Sequence, residues 1–162
     1  MAGPSKGASM DAIFDGNLVA RILVTLATLG YSAVTIFADF NKTHASNPTW
    51  TPHARFHVVW QISSYSGFGL LALGLIWWPG GLAMERLYLA CLFAFVVYGA
   101  FFVALATMPR YGGRTYDDNG YLPFAAPLGL RQRWDVNVTA FSAFSIVLIA
   151  AVLLVGRSAA AG

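Results

Sequence analysis

The chain has 162 residues, of which 57% are hydrophobic and 10% charged, with a formal net charge of +3. Soluble domains are nearer ~25% charged, so this composition excludes an ordinary water-soluble globular protein, and the small basic excess suits residues flanking membrane spans rather than nucleic acid. The single cysteine, Cys91, lies in an apolar run, which rules out an internal disulfide, a CxxC redox pair and a cysteine-rich zinc site.

A helix needs ~20 apolar residues to cross the hydrocarbon core of a bilayer. The segment before the first apolar run holds Asp11 and Asp15 and lacks the basic stretch and cleavage site of a signal peptide, so that run reads as a retained span. The first span covers about 18–38 and carries Thr28, Tyr31, Thr35 and Asp39 at spacings of three and four. A link rich in Pro, Asn and aromatics follows from Asp39 to Pro52. The second span covers about 53–78, with Pro52 suited to the first helical turn and Thr51 to the N-cap. Pro79-Gly80-Gly81 predicts a tight turn and an antiparallel hairpin. The third span covers about 84–108, and a second long link runs from Pro109 to Leu130. The fourth span covers about 134–156, and both small-residue tails read as disordered. The expected fold is all-α: one integral membrane domain over 1–162, an antiparallel bundle of four transmembrane helices with two longer links on one membrane face.

That topology gathers the polar residues at one end. The link face holds Lys42, Arg55, Arg110, Arg114, Arg131 and Arg133, against Lys6, Arg21, Arg86 and Arg157 on the face with the termini, so the count favours the links on the cytoplasmic side. The expected location is multi-pass, in a bacterial inner membrane.

The richest stretch is DFNKTHASNPTWTPHARFHVVWQISS, residues 39–64, which contains all three histidines: His44, His53 and His57. His53 and His57 are i and i+4 and share a helix face, with Gln61 continuing the stripe and Trp60 beside it. A polar stripe on a spanning helix is expected to face the bundle or a cavity. His57 is therefore expected inside, near Asp39 or the Tyr116–Asn119 link, with Trp50, Trp60, Gln61, Tyr116, Asp117, Arg131, Asp135 and Asn137 lining a ligand site. Arg131 and Asp135 are spaced to pair on the fourth helix.

Three chemistries fit. Two imidazoles at i and i+4 can share a metal ion, with His44 or Asp39 completing the set with His53 and His57. Alternatively His57 shuttles a proton, with His53 nearby and Asp39 or Asp117 as its partner, in an oxidation or isomerisation of a hydrophobic substrate. Otherwise the rings and charges are interface anchors that tie the link down and bind lipid headgroups. Haem is disfavoured, since bis-histidine ligation wants histidines on facing helices, and the residues name no cofactor. Transport is disfavoured, since the third span carries no ionisable carboxylate or base at midplane.

The segment THASNPTWTPHARFHVVWQ, followed by further spans, resembles that of small four-helix bacterial and fungal membrane proteins. The layout is also similar to that of the DoxX-like and anthrone-oxygenase-like groups. The latter resemblance implies oxidation of a lipophilic aromatic molecule without a tightly held cofactor; it touches one site residue, Asn137 in the last span. The expected function is to bind a lipid or a lipophilic small molecule at the link end, or to serve as an accessory subunit, with a membrane enzyme as the alternative. The expected partners are membrane lipids and such a molecule, with no nucleic acid; a homo-oligomer or larger membrane complex stays open.

Overall fold

The structure is a computed structural model that describes residues 7–126 and 133–160, with side chains from 18 to 126 and from 133 to 157. Helix α1 (Gly7–Tyr31) and the short α2 (Ala33–Asp39) form the first span with a break at Ser32, and α3 (Pro52–Trp77), α4 (Ala83–Thr107) and α5 (Val136–Ala160) form the other three. All four spans are long and apolar enough to cross a membrane, and the chain is a small multi-pass integral membrane protein.

Local chemistry sets the ends of these helices. The Thr51 hydroxyl accepts the Ala54 N–H at 3.2 Å and Pro52 occupies the first turn, where its missing N–H costs nothing. After Trp77 the chain reverses through Pro79–Gly81, with Gly80 at φ 120° where a side chain would be strained. Leu82 leads into α4 at φ 58°, a left-handed conformation unusual for leucine. The fourth span starts at Val136, two residues later than the sequence suggests. Residues 133–134 are extended and pair antiparallel with 124–125, Phe124 opposite Trp134. Asp135 then caps α5 by accepting the Val138 N–H at 2.9 Å. The expected pairing of Asp135 with Arg131 falls on a residue outside the described ones.

The first span is the heart of the bundle. Its inward face repeats at Ala20, Val24, Ala27, Thr28 and Tyr31, all fully buried, the spacing of one helical stripe. It packs most extensively on α5 and also touches α3 and α4, while α3 and α5 sit on opposite sides of the α1–α4 pair. At Ser32 the chain turns its hydroxyl back onto the Thr28 carbonyl at 2.7 Å. Here α3 comes closest: a Cβ on Gly69 would sit 2.5 Å from the Ser32 side chain. The small residue lets two backbones approach, as membrane helices require. The polar stripe of the first span therefore points inward. Tyr31 lies edge-on to both Tyr65 and Tyr98, and Tyr98 donates its hydroxyl to the Ala27 carbonyl at 2.6 Å. At the opposite end Arg21 donates to the Ile76 carbonyl at 2.9 Å and the Trp77 indole to Thr25 at 2.9 Å, which fixes α1 antiparallel to α3.

Candidate functional site

A cavity of about 810 Å³ opens at the link end of the bundle. Asp39, His44, Trp50, Arg114, Tyr116 and Asp117 line its outer part, and Gly30, Tyr98, Phe101, Phe141 and Phe144 its inner part. Gly30 is nine residues before Asp39, so the cavity runs roughly 13 Å down the first span at 1.5 Å per residue. Phe101 and Phe141 stack with centroids 4.0 Å apart, and Tyr98 meets Phe141 edge-on at 5.7 Å. The result is an apolar, aromatic floor beneath a polar mouth. Its volume lies in the range of small-molecule pockets.

The mouth is held open by bonds between the two long links. Asn47, fully buried, exchanges both amide bonds with Asn119 at 3.1 and 2.9 Å. The Asn47 amide also donates to the Thr43 carbonyl at 2.9 Å, and its oxygen accepts from the Thr49 N–H and hydroxyl at 3.0 and 2.8 Å. Nearby, the Trp50 indole donates to Asp117 at 2.6 Å. Thr115 anchors the second link to α5: its hydroxyl donates to Asp135 at 2.5 Å, and its carbonyl accepts from Asn137 at 2.7 Å. The Asp117 carboxyl is held below the usual carboxylate range, first by the Trp50 N–H and the Asp118 N–H, with His44 and Arg114 adding positive charge.

His44 is the histidine at the cavity. Its ring lies between Trp50, edge-on at 5.3 Å, and Tyr121, stacked at 6.1 Å. Its Nδ1 is 3.8 Å from the Asp39 carboxylate and 2.7 Å from the Thr43 hydroxyl. Thr43 spends its one proton on Asn41 Oδ1 at 2.6 Å, so it must accept from His44. The imidazole therefore carries a proton on Nδ1, and in its neutral form Nε2 keeps a lone pair. A base of defined tautomer and a carboxylate thus sit together at the mouth of a lipophilic cavity.

The other two histidines lie elsewhere, and this corrects the sequence reading. His53 and His57 are exposed on the outer face of α3, their Nε2 atoms 3.0 Å apart, with Phe56 and Trp60 packed on His57. The inward face of α3 is set by Ile62, Gly69, Ala72 and Ile76. His57 is five residues from Ile62, about 140° round a helix at 100° per residue, and so turns away from Asp39. His44 is consequently separated from the His53–His57 pair, and among the described residues no group of three His, Cys, Asp or Glu side chains could hold a metal ion. Asp39, Trp50, Gln61, Tyr116, Asp117 and Asn137 do line the cavity, whereas Trp60 stays with the outer histidines and Asp135 serves as the α5 cap. Sequence reasoning missed Asn47, Thr115 and Tyr121 and named Asn119 only as the end of the Tyr116–Asn119 link; Asn47 carried one hint, its place before Pro48 in the histidine-rich segment. Comparison with protein-family models, with curated proteins and with solved structures finds no match.

Proposed function

We propose that this membrane protein binds a lipophilic small molecule with one hydrogen-bonding end, taken up from the bilayer into the cavity between the first span, α4 and α5. The observation that carries this reading is the gradient of the cavity lining, from Phe141, Phe144 and Tyr98 within to Asp39, His44 and Asn137 at the mouth. An apolar ring or chain would lie on the aromatic floor, and its polar end would meet the imidazole, carboxylate and amide. Phospholipid would suit this cavity less well than a compact ring system, because the floor ends at Gly30, where Phe144 and Tyr98 close in.

A second reading, proton transfer on the bound molecule, is favoured by the Asp39–His44 pair. The free Nε2 of His44 would abstract or return a proton, and Asp39 would stabilise the imidazolium. The residues that carry it are then His44 and Asp39, with His53 and His57 outside the chemistry.

Native mass spectrometry of protein purified in mild detergent tests the binding reading. The expected result is a retained small molecule that is lost in Ala140→Trp, which fills the cavity, and retained in the double variant His53→Ala/His57→Ala. Loss in the double variant with retention in Ala140→Trp would overturn it. If the retained molecule is identified, its conversion by wild type but not by His44→Ala or Asp39→Asn would establish the second reading.

A further inference from the structure

At the opposite end of the bundle, away from the cavity, α3 and α4 form an apolar trough of about 490 Å³. Leu71, Gly74, Leu75, Leu89 and Phe93 line it, and Arg86 stands at its rim beside Trp78. Arg86 is one turn into α4 and reaches back to the hairpin turn, donating from Nη2 to the Gly80 carbonyl at 3.1 Å. Its Nε is buried and has no hydrogen-bond partner among the described residues. No described carboxylate forms an ion pair with it, and the adjacent Glu85 is exposed. The guanidinium keeps its charge at the rim, where the Nη–H groups not bonded to Gly80 can donate to an anion.

We infer that this trough is a binding site for an anionic phospholipid, with an acyl chain against Leu71, Leu75, Leu89 and Phe93 and the phosphate on Arg86. Depth supports this occupant. The turn at Pro79–Gly81 marks the membrane surface, and the aromatic pair Trp77–Trp78 belongs at headgroup level. A guanidinium tethered to Gly80 therefore lies where phosphates lie. Charge selects an anionic headgroup over a zwitterionic one: Arg21, Arg86 and Arg157 gather at this end against Glu85 alone among the described side chains. The site is separate from the cavity and does not depend on its function.

The structure supplies a clean blocking variant. Gly74 lines the trough and a Cβ there meets nothing within 4 Å, so Gly74→Phe is designed to place its ring in the trough. The test is native mass spectrometry of the full chain in mild detergent with equal phosphatidylglycerol and phosphatidylcholine of matched chains. Wild type is expected to hold phosphatidylglycerol about fivefold more, the effect of roughly one basic residue at a membrane surface. Arg86→Gln should bring that ratio near one, Arg86→Lys should keep most of it, and Gly74→Phe should lower occupancy by both lipids. Leu153→Phe, on the exposed face of α5, should change neither. A preference that survives Arg86→Gln, unchanged occupancy in Gly74→Phe, or displacement of the lipid by millimolar inorganic phosphate would each overturn the inference. Thermal midpoints of the variants, expected near wild type, separate lipid loss from misfolding.

Discussion

Replacing Asn47 by alanine should loosen the mouth of the cavity more than any other change in the first link. Asn47 is fully buried and its side chain makes five hydrogen bonds: two with Asn119, one to the Thr43 carbonyl and two from Thr49. A buried hydrogen bond contributes ~1 kcal/mol net. The partners in the exposed half of the link recover water, so the loss should be about 2–4 kcal/mol rather than the full sum. The portion shared with Asn119 is separable by a double-mutant cycle. Two amide–amide bonds predict a coupling of about 1–2 kcal/mol between Asn47→Ala and Asn119→Ala. Thermal or denaturant unfolding in a single detergent, followed by tryptophan emission, reads both quantities. Purely additive single variants, or a loss below ~0.5 kcal/mol for Asn47→Ala, would refute the idea that this amide pair joins the two links.

Gly30→Ala should destabilise the bundle by about 1–3 kcal/mol, because its Cβ would sit 2.6 Å from Phe144 and 2.7 Å from the Tyr98 hydroxyl; the thermal midpoint and the occupancy of the cavity should fall together. Leu82→Asn should stabilise the fold by up to ~1 kcal/mol and so raise the thermal midpoint, since asparagine tolerates the left-handed backbone that leucine is forced into at φ 58°. Acid should undo the contact between the links at Trp50. The folded pKa of Asp117 is depressed, so its stabilisation is complete above the ordinary carboxylate value of ~3.9 and is lost as pH falls through the lower folded value. Trp50 emission should report that acid step, and Asp117→Asn should abolish it.

The parts of the fold carried by local chemistry were legible. Runs of apolar residues marked the four spans, Thr51–Pro52 marked the start of α3, and Pro79–Gly81 marked the hairpin. The inward stripe of Thr28, Tyr31 and Thr35 was legible for the same reason, since polar side chains in a span need partners. The orientation of His57 was not. Helical spacing fixes that His53, His57 and Gln61 lie close in angle, but not where along that arc the cavity ends: Gln61 lines it and His57 does not. The small inward residues of α3, Gly69 above all, decide it by their fit to Ser32 on another span. The second failure was also non-local. Asn47 and Asn119 are 72 residues apart, and no periodicity in either link announces their pairing. The start of α5 was misplaced by two residues because the extended segment at 133–134 depends on a strand partner at 124–125.

The central position of the first span bears on how the protein is made. This helix emerges from the ribosome before the other three, yet it is the most buried of the four, and its broadest contact is with α5, the last of the four in chain order. Until α5 arrives, the side of the first span that will be covered by it, Gly30 included, has only lipid or the insertion machinery for company. Membrane integration of this bundle is thus sealed by its fourth span, and ribosome-bound chains arrested before α5 should be retained beside the translocon rather than released into the bilayer.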